Sequence, residues 1–378
     1  MKTILFGTII EEYSIKAKSD TNYSVCSVTN TNGFQKSSDT FDKQVFSENL
    51  STYKKVFRGS FAYNPSRINV GSIGCQDIDD CVLVSPLYNI FSINTNITSP
   101  EFVSYFFKSG YVKNYIRQNT QGTVRSNFKM SEMSKLHFPN ITIKEQNLLL
   151  NEFRYIESII SKDKAQLDLL DELIKSRFVE MFGDIFSDKS KYPTIKISKV
   201  VIPKIERAKK SFNDDEEIKY VDISSIDNKK NAIVGYTEYL MKDAPSRAQQ
   251  HIRKDDILIS TVRPNLNNVA KVSHDYSNIV ASSGFCILRV SKFEPNYLFA
   301  LVSMQLFADY LSSLTTGANY PAVSDKDILN FEIPNAPIEE QIKFSKFVEQ
   351  VDKLKSSVQK HLTTMQELFD KKMDEYFN

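Results

Sequence analysis

Two stretches of this sequence combine side chains that hold phosphate with side chains that read base edges. Tyr105 to Lys135 contains six Lys or Arg (Lys108, Lys113, Arg117, Arg125, Lys129, Lys135) against one acid, Glu132. Tyr111, Asn114, Tyr115, Gln118, Asn119, Gln121 and Asn127 are interleaved with them. Lys191 to Lys210 contains seven Lys or Arg against one acid, Glu206. Lys and Arg neutralise phosphates, Arg pairs with guanine, and Asn or Gln pairs with adenine. Either stretch alone fits a solvated basic face as well as it fits a polyanion site. The net charge of 378 residues is only +2, so any basic surface must be local.

Other chemistries lack their residues. The four cysteines (Cys26, Cys75, Cys81, Cys286) form no CxxC pair and the four histidines are scattered, so zinc-ligand spacing is absent and no metal site is expected. Reduced, buried thiols of a cytoplasmic protein are the simpler reading. A GxxxxGK phosphate loop does not occur, and neither does the Gly-rich turn or the N/D-P-P-Y/F loop of an adenine methyltransferase. Glu217–Lys219 matches a nuclease-like ExK, yet it lies in a charged run with no preceding P-D and reads as a solvated loop. No run of 18 apolar residues is present, so no membrane span is expected.

The chain repeats itself. FPNITIKEQ at 138–146 returns as IPNAPIEEQ at 333–341, an offset of 195. The same ungapped offset aligns Pro100 with Pro295, Tyr115 with Tyr310, Gly122 with Gly317, Leu167 with Leu362 and Phe182 with Phe377. Upstream the match needs small gaps: FRGSFAYNPSR (57–67) lies beside RKDDILISTVR (253–263), NYSVCSVTN (22–30) beside KYVDISSID (219–227), and Thr3 beside Thr194. Each copy therefore has a divergent first part and a better-kept second part.

The first part reads as an α+β globule. CVLVSP (81–86) and GFCILRV (284–290) are buried-strand candidates, and SPEFVSYFFKSGYVKNYI and EPNYLFALVSMQLFADYL each predict one helix. A polar Gly-containing loop follows, NTQGTVRSN or LTTGANYPA. The second part predicts one long helix, opened by a Thr142–Glu145 capping box or by Pro337. Leu149, Phe153, Ile156, Ile160, Asp163, Leu167, Leu170, Ile174, Arg177 and Met181 alternate at four and three, a coiled-coil seam. Phe344, Val348, Val351, Lys355, Val358, Leu362, Met365, Phe369, Lys372 and Tyr376 repeat it.

With two divergent globules, two PN turns, two E-Q helix starts and two long helices, the chain resembles the specificity subunit of type I restriction-modification enzymes. The P-x-x-x-I-x-E-Q pattern is moderately specific alone and strong when duplicated, and the resemblance spans essentially the whole chain. It implies an α+β fold of two tandem α/β target-recognition domains, 1–141 and 184–336, separated by two long antiparallel coiled-coil helices, 142–183 and 337–378, with pseudo-twofold symmetry. It implies a non-catalytic, cytoplasmic subunit that binds double-stranded DNA and reads one half-site per domain across an unread spacer. It also implies two methyltransferase subunits that carry S-adenosylmethionine, a restriction and motor subunit, and no cofactor on this chain. The lack of Trp and of a strongly basic pI leaves the DNA-contacting residues open. A stand-alone bipartite DNA-binding regulator and a pure coiled-coil scaffold are the competing classes. The scaffold leaves two globules with basic loops unexplained.

Two residue-level expectations follow. Arg67 and Arg263 end aligned strands, and 122–129 and 317–324 are aligned loops. Asn64, Arg67, Arg125, Asn127 and Lys129 are thus candidates for the DNA side of the first domain, and Arg263, Asn265, Asn267, Asn319 and Tyr320 for that of the second. The polar breaks in the two seams also suggest a register. Setting Asp163 against Lys355 leaves every other layer from Leu149–Phe369 to Ile174–Phe344 apolar, with Arg177 and Lys372 near the outer ends. The overlap is roughly 39 Å at about 1.5 Å per residue, close to one DNA turn of about 34–36 Å.

Overall fold

Each half of the chain opens with a short strand that pairs back onto the strand before its PN turn. Thr3–Leu5 runs antiparallel to His137–Pro139, and Thr194–Lys196 antiparallel to Glu332–Pro334. A single 3₁₀ turn follows each, Phe6–Thr8 and Ile197–Lys199, and its first residue is fully buried. The structure is a computed structural model that describes residues 2–18, 22–30, 33–37, 49–120, 127–183, 191–315 and 321–378.

The divergent first parts share one strand topology. In the first copy, Phe61–Tyr63 lies between Ile73–Cys75 and Asn89–Ile93, and Ile10–Tyr13 adds to the far side of Asn89–Ile93. In the second, Ile257–Ser260 lies between Val269–Lys271 and Phe285–Leu288, and a Val201–Val290 bridge takes the fourth place. The other sheet repeats too. Cys81–Val84 pairs with Lys54–Phe57 and, through a parallel Val25–Leu83 bridge, meets the hairpin Cys26–Thr29/Gly33–Lys36. Ile279–Ser282 pairs with Ala248–His251 and runs parallel to Glu217–Val221, which carries Thr237–Leu240. Both central strands are buried at every position, as their unbroken apolar runs require.

The expected single helix after these strands is two helices in each copy. Pro100–Lys108 and Gly110–Asn119 break at Ser109, and Pro295–Val302 and Gln305–Ser313 break before Gln305. Ser109 has an extended ψ of 152°; its hydroxyl donates to the Phe106 carbonyl at 2.7 Å and accepts the Val112 N–H at 3.3 Å. It closes one helix and caps the next, which apolar spacing alone does not reveal. The second copy makes the same break with Met304 at ψ 142° and no side-chain cap.

Each long helix is continuous over 40 residues, Ile143–Phe182 and Ile338–Phe377. The Thr142 capping box forms: the Thr142 N–H donates to Glu145 Oε2 at 2.8 Å, and the Glu145 N–H donates to Thr142 Oγ1 at 3.3 Å. The kept glutamines have a defined task. Gln146 and Gln341 are each 1% exposed. Gln146 donates to the carbonyls of Ile97 (2.8 Å) and Ile141 (3.1 Å) and accepts from Thr98 at 2.9 Å. Gln341 donates to the Ala336 carbonyl at 2.8 Å and accepts the Glu294 N–H at 2.9 Å. One buried amide thus ties each long helix to the start of its copy's short helices.

Packing divides the chain into two compact units, Met1–Lys164 with Lys360–Asn378, and Ala165–Gln359. These are not the four segments read from the sequence, because each unit holds a globule together with a stretch of both long helices. In the first unit Phe377 packs on Phe102 (5.2 Å between ring centroids), Phe106 (5.9 Å) and Phe153 (6.1 Å). In the second, Phe182 packs on Tyr297 (4.6 Å) and Phe344 (5.6 Å). Each globule therefore completes its core with the last turns of the other copy's helix.

Within each unit the helix stretches run antiparallel, with every described seam position buried or half-buried. The expected register is not the one formed. Asp163 lies 2.7 Å from His361 Nδ1, not against Lys355. Lys355 instead donates to Asp171 at 2.5 Å. Phe369 meets Phe153 rather than Leu149, and Phe178 meets Phe344. Both units thus stand about one heptad from the expected pairing. The expectation counted only charges on the seam. Asp171 and His361 lie one position off it and reach across, so the shifted register leaves neither Asp163 nor Lys355 unpaired. Lys372 is also paired, to Glu152 at 2.6 Å, and Arg177 to Glu180 at 2.7 Å.

Candidate nucleic-acid interface

In the first unit the strand Phe61–Tyr63 runs into a tight turn that presents Asn64 and Arg67. The Arg67 N–H donates to the Asn64 carbonyl at 3.0 Å, and the Asn64 side chain accepts the Ser66 N–H at 3.0 Å. A 3₁₀ turn, Ile68–Val70, follows and ends at Gly71 with φ 99°. A Cβ at Gly71 would sit 2.9 Å from the Asn30 carbonyl oxygen, so both backbone angle and space require glycine. Ile68 is buried at 3% exposure and anchors the turn, while Arg67 points to solvent.

This turn is tied to the segment 127–129 largely through side chains. Ser66 Oγ donates to Asn127 Oδ1 at 2.7 Å, and the Phe128 N–H donates to the Pro65 carbonyl at 3.1 Å. The Tyr63 hydroxyl donates to the Phe128 carbonyl at 3.1 Å and accepts from Asn89 at 2.9 Å. Burial pushes the Tyr63 phenol up to about 12, which keeps that proton in place. Asn64, Arg67, Asn127 and Lys129 are therefore brought together, with Arg67, Asn127 and Lys129 exposed. Arg125 lies outside the described residues.

The second unit builds the same juxtaposition from backbone. Ile257–Ser260 leads to Arg263, whose N–H donates to the Pro321 carbonyl at 2.8 Å. Val262 bridges Ala322, and the Val323 N–H donates to Thr261 at 2.9 Å. Arg263 and Asn267 flank the 3₁₀ turn Pro264–Leu266, and both are left-handed, at φ 50° and 49°. Such angles are costly outside glycine and persist where surrounding contacts hold them. Arg263 and Asn265 are exposed. Asn267 is not: its amide donates inward to the Ser303 carbonyl at 3.0 Å, and its Oδ1 is buried without a partner. Its side chain holds the turn and does not face outward with its neighbours. Asn319 and Tyr320 lie outside the described residues.

The basic stretch Tyr105–Lys135 is only partly a surface. Lys108 is paired to Glu157 at 3.3 Å and Lys135 to Glu132 at 2.8 Å. Tyr105 is buried, its hydroxyl donating to Glu157, and Tyr111 accepts the His137 N–H. The interleaved tyrosines thus serve the core and not a stacking surface. Lys113, Arg117 and Lys129 remain exposed, with no carboxylate paired to them among the described residues. Among the described residues no His, Cys, Asp and Glu are grouped to hold a metal ion, and no helix is long and apolar enough to cross a membrane.

Residues 181–364 match the family model described as the type I restriction modification DNA specificity domain. The second half of the chain is thus similar to that domain. The match takes in the whole second globule, and the first globule repeats the order of that globule's main sheets. No curated protein sequence matches the chain. Two solved structures resemble it over its full length. One is described as the structural basis of complex assembly and conformational transition of the type I R-M system, at 14% identity and TM-score 0.61, covering 97% of that chain. The other is the type I restriction-modification system S subunit from M. genitalium, at 12% identity and TM-score 0.50, covering 96% of that chain. At these identities the likeness concerns the fold.

Proposed function

We propose that this chain is the non-catalytic DNA-recognition subunit of a type I restriction-modification complex, acting in the cytoplasm on a split double-stranded target. Each unit reads one half-site, and the continuous helices set the unread spacer. The observation that carries this reading is the duplicated site. On one strand framework, an exposed arginine turn (Arg67, Arg263) is fastened twice to the segment after the short helices. Arg67, Asn64, Asn127 and Lys129 line the DNA side of the first unit, with Arg125 in the same loop. Arg263 and Asn265 do so in the second, with Asn319 and Tyr320 in the aligned loop.

Two modification subunits bring S-adenosylmethionine and the methyl transfer, and a restriction and motor subunit joins for cleavage. Large apolar side chains stand in solvent on the first long helix and support a docking role: Leu148 (59% exposed) and Tyr155 (68%) in the first unit, Leu169 (68%) in the second. The test is co-expression with a modification subunit followed by methylome sequencing, with residues 1–141 exchanged for those of another specificity subunit. The expected result is a bipartite methylated motif in which the exchange alters one half-site. A motif changed in both halves, or methyl transfer by the purified chain alone, would overturn the reading. Tight site-specific binding without any modification subunit would favour a stand-alone regulator.

A further inference from the structure

A second pair of basic clusters lies outside the arginine turns, and the two copies share it. In the second unit Arg207 bridges Gln250 on Ala248–His251, the edge strand of its sheet. Ala208 is fully buried against Ala248 and Val280, so it pins the segment while Arg207, Lys209 and Lys210 stay exposed. In the first unit Lys16 bridges Lys54 on the corresponding edge strand Lys54–Phe57. There Ala17 is 2% exposed and its N–H donates to the Tyr53 carbonyl at 2.8 Å, between exposed Lys16 and Lys18. Lys-Ala-Lys at 16–18 and Arg-Ala-Lys at 207–209 are thus one pattern in one place, in the part of the repeat that otherwise diverged.

The cations are not spent on internal ion pairs. Glu206, the nearest acid in sequence, is taken by Arg253 at 2.7 Å. Among the described residues no carboxylate is paired to Lys16, Lys18, Arg207, Lys209, Lys210 or Arg247. Asp325 borders the groove beside Arg207, and its carboxylate engages the Cys286 thiol. In the second unit the cluster runs on to the arginine turn. The Ser283 N–H donates to the Arg247 carbonyl at 2.8 Å, and next to it the Gly284 carbonyl accepts the Thr261 N–H at 3.0 Å, two residues before Arg263.

We propose that the cation-Ala-Lys segment beside each edge strand is a clamp for the phosphate backbone of duplex DNA, separate from the base-reading turns. The inference rests on the DNA-recognition reading above. Continuity with the Arg263 turn favours a duplex over an acidic protein partner. An unpaired cation on an exposed, rigidly pinned segment binds phosphate without base preference, so the clamp contributes affinity and register and leaves sequence choice to the turns.

The test measures binding of the full chain to a 40-base-pair mixed-sequence duplex by fluorescence anisotropy across a KCl series. Three variants are compared with wild type: R207Q/K209Q/K210Q/R247Q, K16Q/K18Q, and a charge-matched control, K346Q/K353Q/K360Q/K371Q, on the long helices. Each lost phosphate contact lowers the slope of log affinity against log salt by about 0.9. The expected result is a shallower slope by roughly 2–4 for the first variant and roughly 1–2 for the second, with the control at the wild-type slope. Clamp variants with the control's slope would overturn the proposal while leaving the DNA reading intact, and would point to a protein partner. A wild-type chain without affinity for duplex even at low salt would overturn the clamp, whereas the DNA reading itself falls only with the methylome exchange.

Discussion

Among the described residues the first unit fastens its arginine turn largely with side chains, and the second with backbone bonds. Ser66–Asn127 and Tyr63–Phe128 do in one what Arg263–Pro321 and the Val262–Ala322 bridge do in the other. The turns differ in the same spirit: glycine at φ 99° closes the first, and Asn267 at φ 49°, steadied by Ser303, closes the second. The strands that carry the turns are the same in both. The two turns can therefore change chemistry independently, because the framework asks only that the turn and the segment meet and leaves open which atoms join them.

The framework shared by the two units is where a single substitution costs most. Phe182 is fully buried in the second unit and Phe377 is 4% exposed in the first. F182A and F377A should each cost about 3–5 kcal/mol. In hydrogen exchange, F377A should loosen residues 57–139 and F182A residues 257–334. The opposite assignment would contradict the division into Met1–Lys164 with Lys360–Asn378 and Ala165–Gln359.

The turns come next. Gly71→Ala forces a left-handed alanine against the Asn30 carbonyl and should destabilise the first unit by about 1–3 kcal/mol. Asn267→Gly removes strain and an orphaned oxygen but loses the Ser303 hydrogen bond, so thermal melting should move by less than about 1 kcal/mol equivalent. Equal losses at both sites would show that the two turns are not built differently.

Tyr63→Phe sharpens the fastening itself. It deletes the donor to the Phe128 carbonyl and strands the Asn89 amide, for about 1–2 kcal/mol by denaturant titration. Its nearest counterpart by sheet position is Ile259, whose side chain has no such bond to lose. A Tyr63→Phe protein as stable as wild type would mean that the Pro65–Phe128 backbone bond suffices, as backbone bonds do in the second unit.

The smallest expected effect concerns register. A double-mutant cycle of Lys355→Ala with Asp171→Ala should give a coupling of about 0.2–1 kcal/mol, since both side chains are part-exposed. The cycle with Asp163→Ala should give none. Coupling to Asp163 would restore the register expected from the seams alone.

Periodicity and repetition carry far in this sequence. Two heptad stripes specify two uninterrupted helices, and the 195-residue offset locates both PN turns and both helix starts. The limits lie where a single side chain competes with a pattern. Ser109 breaks a helix whose apolar spacing runs straight through it, because a hydroxyl that both closes and caps is stronger locally than a stripe. The register slipped because Asp171 and His361, just beside the seam, answer charges that a seam-only count leaves unpaired. Tyr105 and Tyr111 stand among basic residues yet turn inward, since aromatic rings gain more from the core than from water. Asn267 has the chemistry of base reading and is consumed by its own turn. The signal for the phosphate clamp was present in the Lys191–Lys210 run, but its partner at Lys16–Lys18 shows only once the edge strands are superposed in topology.

The placement of Met373 and Phe377 in the first unit's core sets an order of events during synthesis. Residues 1–164 leave the ribosome long before the residues that close them. At roughly 5–20 residues per second, about 10–40 s separate residue 164 from residue 377. For that interval Phe102, Phe106 and Phe153 wait with one side of their cluster unfilled. The second globule is served at once, because Phe178 and Phe182 precede it in the chain. The half translated first is thus the half finished last, and a nascent chain stalled before residue 373 presents an aromatic patch to whatever chaperone is near.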